Sequence, residues 1–374
     1  MSTLRLRTAA TAVAAVASLL LVGCASAEPA GEAAAESNEA AVQESEEGTT
    51  EYNTGDIQEF CPDAPTKVGY AKGNNNTWTK TVLAELTNLA NECENITEVI
   101  FADAGGDQQK AVSDLDSLVA QGVEVIVVQP EFGEAQLPSI QAATEAGASV
   151  VSFISFPGGE PGTDYVTFVN HDVAYIGEQQ AAFFNEALDG EGTIAFLGGV
   201  PGAASSITFF EAFREALAAY PGLQLVEDNF IVTNWDPGEK KRVMTGLLAQ
   251  YGRIDGVVSD YTTTDTGVID AYKEAGVELP ALAGQASANI NGCQWEEEPF
   301  DFFTLDGTTT TVEIALRKAL ADHVGKENPE PSRPQLPTFI DTLNGVNPVC
   351  QPDLPVDADL SSSLTLDELA ALLG

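Results

Sequence analysis

Gln121-Gly122-Val123-Glu124-Val125-Ile126-Val127-Val128-Gln129-Pro130 decides the fold of this chain. Val125–Val128 is a continuous β-branched run. A helical period (Ala111, Leu115, Leu118, Val119) stands before it and another, around Ile140 and Ala143, stands after it. A short strand that is apolar on both faces has to be covered on both faces, as in a parallel sheet between two layers of helices.

Outward from that stretch the same unit repeats. Toward the N-terminus stand a strand at Lys67–Ala71, a polar turn Gly73-Asn74-Asn75-Asn76, and a helix with Val82, Leu83, Leu86, Leu89 and Ala90 on one face. A strand at Val99–Phe101 completes that side. Toward the C-terminus the next strand is Val150–Phe153, and the pattern restarts at Thr193–Leu197. A helix from about Thr208 to Ala219, a strand at Leu223–Glu227 and a helix over Glu239–Tyr251 follow, then strands at Gly256–Ser259 and Ala281–Gly284 flanking a helix through Ile269 and Tyr272. The spacing predicts an α/β protein of two doubly wound parallel-sheet lobes, whose ligand site lies outside the carboxyl ends of the strands. The remainder holds Phe302–Leu305, a helix around Val312, Ile314, Leu316 and Ala319, and a proline-rich passage from Pro329 to Pro337. Thr365-Leu366-Asp367-Glu368 then reads as a capping box.

At the other end, Arg5 and Arg7 precede an apolar or small stretch from Ala9 to Gly23, the layout of an export signal. Leu21-Val22-Gly23-Cys24 resembles a bacterial lipobox, which implies that residues 1–23 are removed and that Cys24 carries lipid. Residues 24–59, rich in Ala, Glu and Ser, are expected to form a disordered acidic tether because they offer little apolar area to offset the entropy of ordering. Read as a lipobox or as an ordinary secretory signal with Cys24 incidental, the leading segment places the folded part outside the cytoplasm; the lipobox reading also anchors it to a membrane.

Composition narrows the partners. With 57 acidic against 16 basic residues, a formal charge of −41, the chain repels nucleic acid and anionic lipid headgroups. Four cysteines remain beside Cys24: Cys61, Cys93, Cys293 and Cys350. In an oxidising compartment an even number reads as two disulfides, with three pairings open. Cys61–Cys93 with Cys293–Cys350 is favoured, because Cys61 precedes the first core strand and Cys93 closes the first helix. No metal-ligand spacing, P-loop or nucleophile elbow is found, so neither a metal nor another cofactor is expected, nor catalysis. The two histidines, His171 and His323, stand far apart in sequence.

Between about residues 66 and 345 the landmarks of one family stand in order. They are Asn76-Thr77-Trp78, Gly105-Gly106-Asp107-Gln108-Gln109, the Gln121–Pro130 stretch, Glu145–Val151, Val169-Asn170-His171-Asp172, Gly199-Val200-Pro201-Gly202 and Lys273–Val277. In these the chain resembles the sugar-binding type I periplasmic binding proteins, the substrate receptors of ABC importers. The resemblance implies two lobes joined by three hinge crossings: 60–168 with 304–337, and 169–303 with 338–374. It implies a monomer that closes on its ligand and is then read by a membrane permease.

The resemblance also assigns the cleft. Trp78, Phe209, Trp235 and Tyr261 are its aromatic candidates, suited to the C–H face of a ring or polyol. Asn74, Asn76, Ser155, Asn170, Gln285 and Asp306 are its polar ones, and an amide gives and takes as a hydroxyl does. Relatives carry Asp-Arg where Ile154-Ser155 stands, Arg at Phe209, Asn-Asp at Tyr261-Thr262, and Asp near Gln285. The loss of these charged groups, with few cations elsewhere, points to a small neutral sugar or polyol. A same-fold sensor for a membrane receptor and an extracellular glycoside hydrolase are the alternatives.

Overall fold

A computed structural model describes residues 52–374. The signal, Cys24 and the tether as far as Glu51 lie outside the described residues. The first sheet is built from β1 (Thr66–Lys72), α1 (Thr77–Ala90), β2 (Ile96–Asp103), α2 (Gln108–Ala120), β3 (Val125–Gln129), α3 (Leu137–Glu145), β4 (Ser149–Phe153) and β5 (Thr167–Val169). Its strands are all parallel, in the order β2-β1-β3-β4-β5. Period-two alternation sorts the strand residues into two cores. Val68, Tyr70, Val125, Val127 and Phe153 face one way, while Ala71, Ile126, Val128 and Val150 face the other. Leu115, Leu118 and Ile140 of α2 and α3 cover the second face. The first is covered by Val82 and Leu86 of α1 and by a helix from much later in the chain.

The second lobe follows with α4 (Val173–Ala187), β6 (Gly192–Gly198), α5 (Ala204–Leu217), β7 (Leu223–Leu225), β8 (Ile231–Val232), α6 (Pro237–Tyr251), β9 (Gly256–Ser259), α7 (Thr266–Ala275), β10 (Ala281–Gly284), α8 (Asn289–Glu297) and β11 (Phe302–Leu305). The chain then returns through α9 (Thr311–His323), and ends with β12 (Thr338–Asp341) and α10 (Leu366–Leu373). The sheet order is β12-β11-β10-β9-β6-β7, with β8 also on β6 and only β12 antiparallel. Phe183, Phe184, Phe210 and Phe213 fill one face of this sheet, and Met244, Leu248, Val268 and Tyr272 the other.

Three passages join the lobes: after β5, after β11, and from α9 to β12. They lie side by side. The N–H groups of Asn170 and Asp172 donate to the carbonyls of Ser332 and Pro334 at 3.0 Å each, and that of Asp306 donates to Pro337 at 3.2 Å. The helix supplied by this return is α9, whose Val312, Ile314, Leu316 and Leu320 complete the first lobe's core.

Three details depart from the sequence reading. The tether does not run free to Glu59. Tyr52 donates to the carbonyl of Gly307 and bonds the hydroxyl of Thr310. Arg317 grips Asn53 Oδ1 at 2.6 Å and Glu330 at 2.6 Å, and Gly55 N–H donates to Glu330 at 3.1 Å. Ile57 and Phe60 join the first core, so a few large apolar residues, diluted by the surrounding Glu and Ala, hold the strap. Second, β11, with Thr304 and Leu305, belongs to the second sheet, so the return to the first lobe begins after it. Third, the tail does not stay with the second lobe. Backbone bonds from Asn289 and Ile290 hold it there through Ala358, and Ser363 N–H then donates to Glu85 of α1 at 2.7 Å. Leu364 and Leu369 pack with Ala84, also on α1. The disulfides are Cys61–Cys93 and Cys293–Cys350.

Candidate functional site

The carboxyl ends of both sheets face one cleft of about 490 Å³, its open mouth included. The first lobe lines it with Lys72 from the end of β1, Asn74, Asn76 and Trp78 from the turn into α1, Gln129 and Glu131 after β3, and Ile154 after β4. The second lobe contributes Ser205 and Phe209 of α5, Trp235 before α6, Asp260 and Tyr261 after β9, and Gln285 and Ala286 after β10. His171 and Thr308 come from the hinge passages.

Each platform is fixed by its neighbours. Trp78 stacks on Phe153 with ring centroids 6.0 Å apart, and its indole N–H donates to Thr308 Oγ1 at 2.9 Å. Trp235 sits in a left-handed turn, φ 51° after Asn234 at 53°, and lies flat on Gly199. A Cβ at Gly199 would stand 2.2 Å from the indole ring, so this close approach needs glycine. The Tyr261 hydroxyl faces the Trp78 backbone across the cleft, and burial pushes its pKa up to about 12.

Lys72 and Glu131 are paired and buried. Lys72 donates to Glu131 at 2.8 Å, both side chains being 4% exposed, and its ammonium stands 4.7 Å above the Trp78 ring. Asn74 Nδ2 donates to both Glu131 oxygens, at 2.8 and 3.0 Å. On the other side Asp260 accepts from Ser206 at 2.5 Å and Trp235 at 3.0 Å. Burial lifts its pKa to about 6 against the opposing pull of Ser206, Lys240 and Trp235. His171 stacks on Phe209 with centroids 6.2 Å apart. Burial drops its pKa to about 3 against the opposing pull of the Thr308 backbone, so the ring is neutral at physiological pH.

Seven of the ten residues named from sequence line this cleft: Asn74, Asn76, Trp78, Phe209, Trp235, Tyr261 and Gln285. Asn76 also caps α1, accepting from Thr79 N–H at 2.9 Å. Three do not line it. Ile154 adopts φ 61°, unusual for a β-branched residue, and it takes the cleft position while Ser155 is fully buried behind it. Asn170 is spent in the hinge, its Oδ1 accepting the His171 N–H at 2.8 Å. Asp306 turns its carboxylate onto the N–H and hydroxyl of Ser287. The sequence reading missed Lys72, Gln129, Glu131, Ser205, Asp260 and Thr308. The rule that ligands gather at strand ends could have flagged Lys72, Glu131 and Asp260, which follow or close three strands. Among the described residues no cluster of His, Cys, Asp or Glu is suited to hold a metal ion.

Residues 70–321 match the family model described as the periplasmic binding protein domain. The chain belongs to that family. Over 239 residues this periplasmic binding protein is 26% identical to the xylitol-binding protein of Mycolicibacterium smegmatis, covering 62% of the chain and 65% of that relative. It is 28% identical over 182 residues to the ribose import binding protein of Bacillus subtilis, covering 49% and 57%. The matched stretch thus spans less than two thirds of either relative's length. Among solved structures, a D-allose-bound ABC transporter solute-binding protein of Actinobacillus succinogenes superposes with a TM-score of 0.63 at 20% identity, over 73% of this chain and 96% of that one. A myo-inositol-bound solute-binding protein of Bacillus halodurans gives 0.62 at 20%, over 76% and 96%. At these identities the superpositions show the fold, a type I periplasmic binding protein.

Proposed function

We propose that this periplasmic binding protein captures a small neutral sugar or polyol between its lobes and delivers it to an ABC permease. It works as a monomer outside the cytoplasm, held to the membrane by lipid on Cys24. One observation carries the reading: a cleft between the lobes in which aromatic side chains from both, Trp78 and Trp235, stand beside buried polar atoms. A ligand touching both lobes binds the closed form better and shifts the population toward it. The closed shape is then what a permease can read. Relatives named for xylitol and ribose support the ligand class, and the pairing of the one lysine that lines the cleft, Lys72, with Glu131 disfavours anions. No covalent step is required.

Thermal unfolding in the presence of monosaccharides, polyols, nucleosides and amino acids tests this. A ligand at a thousand times its Kd adds about 4 kcal/mol of stability. Trp78→Ala and Trp235→Ala are each expected to weaken binding of the stabilising ligand by roughly 1–3 kcal/mol. Stabilisation by nucleosides or amino acids alone would replace the ligand class, and full affinity in both variants would remove the stacking model.

A further inference from the structure

Lys240 on α6 is 0% exposed and stands behind the cleft, outside its lining. An ammonium carries three protons and no acceptor, and each proton here finds an oxygen: Ser259 Oγ at 2.6 Å, the Tyr261 carbonyl at 2.8 Å and Asp265 Oδ1 at 2.6 Å. Nothing is left over for a ligand. The first two anchors stand on either side of Asp260, which does line the cleft. Asp260 in turn accepts from Ser206 of α5 at 2.5 Å and from the Trp235 indole at 3.0 Å. Trp235 precedes α6 by two residues, so the connections close on themselves. They run from α6 to the turn after β9 through Lys240, and back to the start of α6 through Asp260 and Trp235. The third anchor, Asp265, opens α7. A Cβ on Gly267 would stand 1.9 Å from the Pro237 carbonyl oxygen, so α7 lies directly against the first turn of α6.

A buried ion pair adds little net stability, because desolvating two charges offsets their attraction and an apolar pair of like shape serves the fold as well. What an apolar pair cannot do is direct three bonds at fixed angles. We infer that Lys240 is a positioning residue for ligand capture. It fixes the turn after β9, so that Asp260 and Tyr261 keep their places in the cleft and Asp260 holds the Trp235 ring in one orientation. The inference rests on the cleft as the ligand site, and adds to it a residue that never touches the ligand.

The test replaces both charges at once, Lys240→Met with Asp265→Leu, and first reads the indole N–H resonance of Trp235 in isotope-labelled protein without ligand. Trp235→Phe identifies that resonance by its loss. The other two tryptophans, Trp78 and Trp295, donate to Thr308 and to the Phe300 carbonyl and serve as internal references. In the double variant the Trp235 resonance is expected to shift and its proton to exchange with water about tenfold faster, while both references and the melting temperature change little. Isothermal titration with xylitol and with ribose should show whichever of them the wild type binds weakened about tenfold. A Trp235 resonance that matches the wild type's, or an affinity that does, overturns the inference. Should the double variant fail to fold, Ser259→Ala, which keeps the ion pair and removes one anchor, is read at the same resonance and decides. If neither probe binds the wild type, the sugar-or-polyol reading falls, and the indole spectra still decide whether Lys240 positions Trp235.

Discussion

His171 shows how one residue carries both structure and a measurable consequence. It is 2% exposed, stacked on Phe209, and its depressed pKa of about 3 comes first from burial. The unfolded chain binds a proton near pH 6.5 and the folded one does not, so the unfolded state gains protons as pH falls through that value. The stability due to the neutral ring is therefore present above pH 6.5 and lost toward pH 3. Between pH 6.5 and 4.5 the loss is expected to be about 1–3 kcal/mol. Denaturant titrations of the protein and of His171→Gln check it: the variant should lose less over that window, and equal losses would remove the assignment. At this scale the aromatic half of the cleft was legible through the family resemblance, which assigned Trp78, Trp235 and Tyr261 to it. The ionic half was not. Lys72 and Glu131 are 59 positions apart, and nothing local announces that two charges at the ends of β1 and β3 will be buried together.

Among elements, the α9 passage carries more than its length suggests. Arg317 on α9 is 2% exposed and ties the N-terminal strap (Asn53) to the third hinge passage (Glu330) through bonds of 2.6–2.7 Å. Removing a partner from such a buried pair leaves an uncompensated charge, at about 3–5 kcal/mol. Arg317→Gln should lower the melting temperature accordingly. Lys241→Gln, whose pairs with Asp270 and Glu274 lie on the surface, should barely change it. Equal effects would show that the strap contributes nothing. The βα units themselves were readable from period alone, since apolar runs of four or five residues alternate with helical stripes. The strap, α8 and the tail were not, because their order comes from contacts with distant elements: Gly307 for Tyr52, Glu85 for Ser363.

For the whole molecule the decisive balance is between charge and anchor. A body of net charge −41 is repelled by an anionic bilayer, so retention at the membrane would depend on the lipid on Cys24. Cys24→Ser is expected to move the protein from the membrane fraction into the soluble extracytoplasmic fraction. A variant that stays with the membrane would sink the anchor. Two lobes of parallel sheet followed from the repeated units, whereas the way they hold one another depended on a tail whose sequence carries no mark of its destination.

That tail sets a mechanical limit. It is moored to α8 through Ala358, and to α1 both by Asp357, which accepts from the Thr77 hydroxyl at 2.5 Å, and by Ser363. With the Asp357 bond broken, a leash of five steps remains between Ala358 and Ser363. Fully drawn out, five residues reach on the order of 17 Å. The jaws can gape no farther at that corner unless one mooring lets go, so the aperture through which cargo enters and leaves is bounded by slack in the chain as well as by the hinge.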